Sequence, residues 1–134
     1  MAKLAEIEGI GSVYAAKLNA AGVSTIEALL KSGASPQGRQ TLAERSGISK
    51  KLILEWVNLA DLFRIKGVAE EYSDLLEEAG VDTVRELAQR NPRNLYQAMV
   101  GKNEAKKLVR RLPSEGQVAD WVAQAKKLPR VVKY

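Results

Sequence analysis

The chain is expected to be all-α, on three observations. Ala, Leu and Val supply most of a 46% hydrophobic fraction while aromatics stop at 5%, a balance that suits helices better than sheets. Capping residues recur ahead of short apolar stretches, as in Ser35-Pro36, Asn91-Pro92 and Ser114-Glu-Gly-Gln117. No β-rich alternating run occurs before the last five residues. With 134 residues there is room for one ordinary domain or two very small ones.

The elements follow in order. A first helix is expected over 2–8 and a second over 12–21, stopping at Gly22, where glycine takes the left-handed conformation cheaply. Ser24-Thr-Ile-Glu27 reads as a capping box and opens 24–32. Ser35 caps a helix over 36–46 with Pro36 in its first position, where no amide donor is missed. The next, 49–65, runs on to supply the first helix of a second half. That half continues as 69–79, stopping at Gly80, then 82–90, 92–100 behind Asn91-Pro92, 103–112, and 114–128 behind its Ser114–Gln117 box.

The two halves are copies. Aligning Ile7–Leu30 with Ile65–Ala88 at an offset of 58 gives nine identities in 24 positions: Ile7/Ile65, Gly9/Gly67, Tyr14/Tyr72, Leu18/Leu76, Ala21/Ala79, Gly22/Gly80, Val23/Val81, Thr25/Thr83 and Leu29/Leu87. Trp56-Val57 later answers Trp121-Val122 at an offset of 65. Shared glycines and apolar residues are what a repeated backbone and core keep, and the paired aromatics read as core. The repeats are expected at 1–64 and 65–134, the second with basic C-terminal helices. No Gly/Ser- or Pro-rich linker parts them, so one continuous domain with a shared core is expected.

Ile7-Glu8-Gly9-Ile10-Gly11 with Tyr14 and Leu18, and Ile65-Lys66-Gly67-Val68-Ala69 with Tyr72 and Leu76, resemble helix-hairpin-helix motifs. The resemblance implies two tandem repeats of the SAM-like type and sequence-independent DNA binding. Its physical basis is that glycines admit a phosphate to the backbone and the next helix points its amides outward. Over nearly the whole chain the sequence also resembles the bacterial family named domain of unknown function 4332. That resemblance rests on Ala79-Gly-Val-Asp-Thr-Val-Arg-Glu-Leu87, Asn91-Pro92, Leu112-Pro-Ser114 and Trp121, and it implies a fold but no activity. The shorter Ala-Gly-Val-x-Thr-x-x-x-Leu is similar to the DNA-contacting C-terminal domain of bacterial RNA polymerase alpha subunits, which again supports the fold.

Charge is unevenly placed. Between Lys66 and Ala88 two bases face seven acids, whereas Gln89–Tyr134 holds eleven bases and three acids within a chain of net +5. Glu70 and Glu71 stand where a phosphate at the second hairpin would sit, so that hairpin is expected to be structural. The first hairpin, Gly9-Ile10-Gly11-Ser12 with Lys17 downstream, is the candidate phosphate site. On a helix over 103–112, Lys106 and Arg110 would continue a stripe from Lys102, flanked by Lys107 and Arg111 and backed by Ala105, Leu108, Val109 and Leu112. Arg90 and Arg93 would extend it. Such a stripe suits a polyanion. It also suits a solvated helix face, or pairing with the acidic segment within or between molecules.

Several classes are disfavoured. The chain holds no cysteine and no histidine, which removes disulfides, thiolate chemistry and imidazole-based catalysis or metal binding. No lysine–aspartate pair follows either hairpin as in the helix-hairpin-helix glycosylases, and no nucleotide-hydrolase loop or calcium loop occurs. No enzyme, cofactor or metal is therefore expected. No apolar run nears the roughly 20 residues of a membrane span, and the N-terminal residues carry acids where a signal peptide has its apolar core. A cytoplasmic, non-catalytic nucleic-acid-binding module is expected, with DNA or RNA as partner. Its contacts would be Gly9, Ile10, Gly11, Ser12, Lys102, Lys106, Lys107, Arg110 and Arg111. The competing expectation is an adaptor that meets an acidic protein surface, or associates with itself, through acidic 70–86 and basic 102–111.

Overall fold

The computed structural model describes Leu4, Ile7, residues 9–68 and 70–134, with the backbone alone at 70 and 71. The expected helix at 2–8 falls mainly outside the described residues. The regular elements among them are all helices: α1 (Gly11–Ala20), α2 (Ile26–Ser32), α3 (Pro36–Ser46), α4 (Lys50–Leu62), α5 (Glu70–Glu78), α6 (Val84–Gln89), α7 (Pro92–Lys106) and α8 (Glu115–Lys127). The protein is all-α. Residues 1–61 with 130–134 form one compact unit and residues 62–129 a second.

Local chemistry explains most boundaries. Ser35 Oγ accepts the Gly38 N–H at 3.0 Å and Asn91 Oδ1 accepts the Asn94 N–H at 3.1 Å, each just ahead of its proline. Ser114 and Gln117 form the reciprocal capping box expected of them. The cap of α2 differs from expectation: Thr25, not Ser24, takes the N-cap, its Oγ1 accepting from Ala28 N–H at 3.0 Å. With Thr25 as cap, Glu27 falls at the second helical position, one short of where a capping box places its acid. Thr83 caps α6 in the same way, accepting the Glu86 N–H at 3.0 Å.

Positions 58 apart share their geometry. After α1, Val23 N–H bonds back to Leu18 C=O at 2.9 Å and Gly22 N–H to Asn19 C=O at 3.0 Å; after α5, Val81 bonds to Leu76 at 2.8 Å and Gly80 to Glu77 at 3.0 Å. Both ends are Schellman motifs, with Gly22 and Gly80 at φ 91° and 94°. Tyr14 packs on Trp56 with ring centres 5.1 Å apart, and Tyr72 on Trp121 at 5.3 Å. Both tryptophans are buried, as expected for core residues.

In the first unit Ile7, Ile10, Leu18, Leu29, Ile53, Trp56 and Val57 are among the buried side chains, and α3 packs against α1 and α2. Residues 130–134 close this unit: Lys133 N–H bonds to Ala34 C=O at 2.7 Å and Val132 is buried. In the second unit α8 packs on α6 and α7, and α5 on α7, around Leu75, Leu76, Leu87, Leu95, Met99, Val118 and Trp121. Each such side chain contributes about 1.5–3 kcal/mol on burial.

One helix differs clearly from expectation. The breaks expected at 100–103 and at 112 are replaced by a single α7 that runs through Gly101 and ends at Lys106. An interior glycine costs a helix only about 1 kcal/mol, less than the continuing turns return.

Candidate nucleic-acid interface

The first hairpin lies in the first unit. Ile10 is buried at the N-cap of α1 and anchors the turn, while Gly9, Gly11 and Ser12 are exposed around it. Gly9 and Gly11 hold φ of 90° and 59°, values that residues with a Cβ seldom adopt. No side chain caps α1, whereas α2, α3, α6, α7 and α8 all have one. The exposed positions of α1 are Gly11, Ser12, Val13, Ala16, Lys17, Asn19 and Ala20, so its outer face carries no acid. Lys17 Nζ lies 5.7 Å from the Tyr14 ring centre, a cation–π contact.

The second hairpin is closed from within. Lys66 N–H donates to Gln124 Oε1 at 2.8 Å, and Gln124 Nε2 donates to Lys66 C=O at 3.0 Å and to Asp120 Oδ2 at 2.8 Å. One amide therefore holds both backbone groups of a hairpin residue. In the Trp56/Trp121 register the counterpart of Gln124 is Leu59, a buried apolar residue with no amide to offer. That Gln/Leu difference was the available sequence signal for this clamp, and the sequence reading missed it.

The basic segment is not the helical stripe its spacing predicted. Lys102 is exposed on α7 and Lys106 is its last residue, but Lys107 turns left-handed at φ 52°, ψ 47°, so Arg110 and Arg111 fall beyond the helix. Asn103 explains the departure. Its Oδ1 accepts the Val109 N–H at 2.9 Å and its Nδ2 donates to Val109 C=O at 3.2 Å, folding the chain back and burying Val109. Tyr72 Oη then donates to Arg111 C=O at 3.1 Å. Ala105 is exposed instead of backing an apolar face.

The result is a loop fixed at both ends that presents cations in place of a stripe. Lys102, Lys107, Arg110 and Arg111 are all exposed and pair with no carboxylate among the described residues. Lys106 alone is paired, with Glu78 at 2.9 Å. Arg90 does not extend the group, because its Nη1 donates to Ala79 C=O at 3.1 Å; Arg93 stays exposed. Asn103→Ala is expected to cost about 1–2 kcal/mol and to speed hydrogen exchange at the Val109 amide, while exchange at Leu95 stays slow. Equal exchange at Val109 in both proteins would show that the clamp does not order the loop.

Among the described residues no three carboxylates gather as a metal site, and no helix is long and apolar enough to cross a membrane. These features define an all-α protein of short helices in which a left-handed glycine turn precedes α1 and recurs before α5. Within that class, the chain belongs to the family described as Domain of unknown function (DUF4332), which it matches over residues 8–128. No solved structure matches it.

Proposed function

We propose that this protein is a non-catalytic module, built from tandem helix-hairpin-helix repeats, that binds nucleic acid through backbone phosphates without reading sequence. The observation that carries this reading is the group of four exposed cations, on and beside a loop held by Asn103 and Tyr72, that pair with no carboxylate among the described residues. Pre-ordering cuts the entropy cost of gathering those charges on a polyanion. The first hairpin supports the reading separately, with exposed glycines at an uncapped helix start and a face behind them that carries Lys17 and no acid. No role is assigned to the second hairpin, whose Lys66 backbone Gln124 already satisfies.

Fluorescence anisotropy of a labelled 20-base-pair duplex and of a single strand, at several salt concentrations, tests the reading. If all four cations meet phosphates, log affinity for duplex should fall against log salt with a slope near −3.6, about −0.9 for each contact. Arg110→Gln should then weaken duplex binding about eightfold at 0.1 M salt and remove one such increment from the slope. No binding at low salt would reject the proposal. Association of the protein with itself, rising with its own concentration and weakened by the same substitution, would favour an adaptor instead.

A further inference from the structure

We propose that α5 is a built-in competitor at the edge of the basic segment, its Glu78 carboxylate occupying in cis Lys106, a cation that an anionic polymer would otherwise take. Two independent observations point there. The first is contact: α5 packs on α7, Lys106 Nζ donates to Glu78 Oε2 at 2.9 Å, and Tyr72 of α5 holds the Arg111 carbonyl. The second comes from the repeat. Five exposed neutral positions of α1, Ser12, Val13, Ala16, Asn19 and Ala20, correspond at the offset of 58 to Glu70, Glu71, Asp74, Glu77 and Glu78 of α5, while the exposed Lys17 answers to the buried Leu75. Every one of these small neutral residues is answered by an acid.

The stability of α5 does not explain the whole set. Acids in the first turn suit the positive end of a helix, but Glu78 stands in the last turn, where the helix's own partial charge opposes it. Its counterpart Ala20 carries no such penalty. A part-exposed ion pair returns little folding free energy, so the Glu78–Lys106 contact has its main consequence in what Lys106 is free to bind. Binding of a polyanion then requires Lys106 to exchange one anionic partner for another, which weakens affinity and makes release easy.

Because this presupposes phosphate binding by the 102–111 segment, the test separates the two ideas. The probe is the labelled duplex at 50 mM and 500 mM salt, with the full chain. Glu78→Gln should tighten binding about three- to fivefold at the lower concentration, since one repelling charge is removed and Lys106 is released. At the higher concentration the gain should vanish by screening. Glu55→Gln, the same change of net charge at an exposed site on α4 of the first unit, should have little effect. In a Lys106→Gln background, Glu78→Gln should lose most of its gain, which is the coupling that a double-mutant cycle measures. Unchanged affinity in Glu78→Gln, or an equal gain in Glu55→Gln, overturns the competitor role while leaving phosphate binding intact. A wild-type protein that ignores duplex at low salt overturns both.

Discussion

Gly67→Ala should cost the protein about 3 kcal/mol of stability, seen as a lowered urea midpoint by circular dichroism. Two effects add. Gly67 sits at φ 95°, where a residue with a Cβ pays about 1–2 kcal/mol. A Cβ built there would also lie 2.9 Å from Trp121 Nε1. Trp121 is 1% exposed and packed against Tyr72, so the indole cannot move aside cheaply, and overpacking costs about 1–3 kcal/mol. The equivalent Gly9→Ala isolates the first effect. Its φ is 90°, but a Cβ would sit 3.5 Å from Trp56 Nε1, an ordinary contact, so a loss of about 1–2 kcal/mol is expected. Equal losses at the two sites would show that the indole contact does not matter.

Arg39→Met should lower stability by about 1–2 kcal/mol and release the last residues from the first unit. Arg39 is 5% exposed, its Nη1 donating to Gly33 C=O and its Nη2 to Lys133 C=O, both at 2.8 Å. Burial pushes the guanidinium below its ordinary pKa, and Tyr134 opposes that shift. Methionine keeps much of the apolar stem but leaves each carbonyl without this donor, at about 1–1.5 kcal/mol apiece. Part of the loss is recovered because no charge has to be desolvated. Limited trypsin digestion gives the second readout: cleavage after Arg130 should quicken, since Val132 leaves its buried place. A variant that melts like the wild type and keeps its tail protected would assign Arg39 no part in closure.

What was legible in the sequence was legible because it is local. Ser35-Pro36, Asn91-Pro92 and Ser114–Gln117 announce helix starts through groups three residues apart, and Gly22 and Gly80 announce stops through a backbone preference of their own. Trp56 and Trp121 were readable as core because repeated aromatics in a repeated frame have a shared reason to be there, whereas Tyr14 and Tyr72, which pack on them, are only half-buried.

The candidate site was less legible. The spacing of Lys102, Lys106 and Arg110 suits a helix, and only the capture of Val109 by Asn103 diverts the chain. Both residues are in the sequence, but an asparagine with helical neighbours carries no sign of which backbone it will hold. Arg39 is a harder case, since its partner at Lys133 lies 94 residues away and offers a main-chain carbonyl that every sequence shares.

The return of residues 130–134 to the first unit has a consequence for the order in which the chain is made. The second unit, 62–129, is contiguous and is complete when residue 129 appears. The first waits for Lys133 to reach Ala34 and Arg39, about 70 residues after the rest of it has been synthesised. At about 5–20 residues per second that interval is several seconds. The Ala34 carbonyl and Nη2 of Arg39 pass that time without their final partner, Lys133. The half that is translated first is therefore finished last.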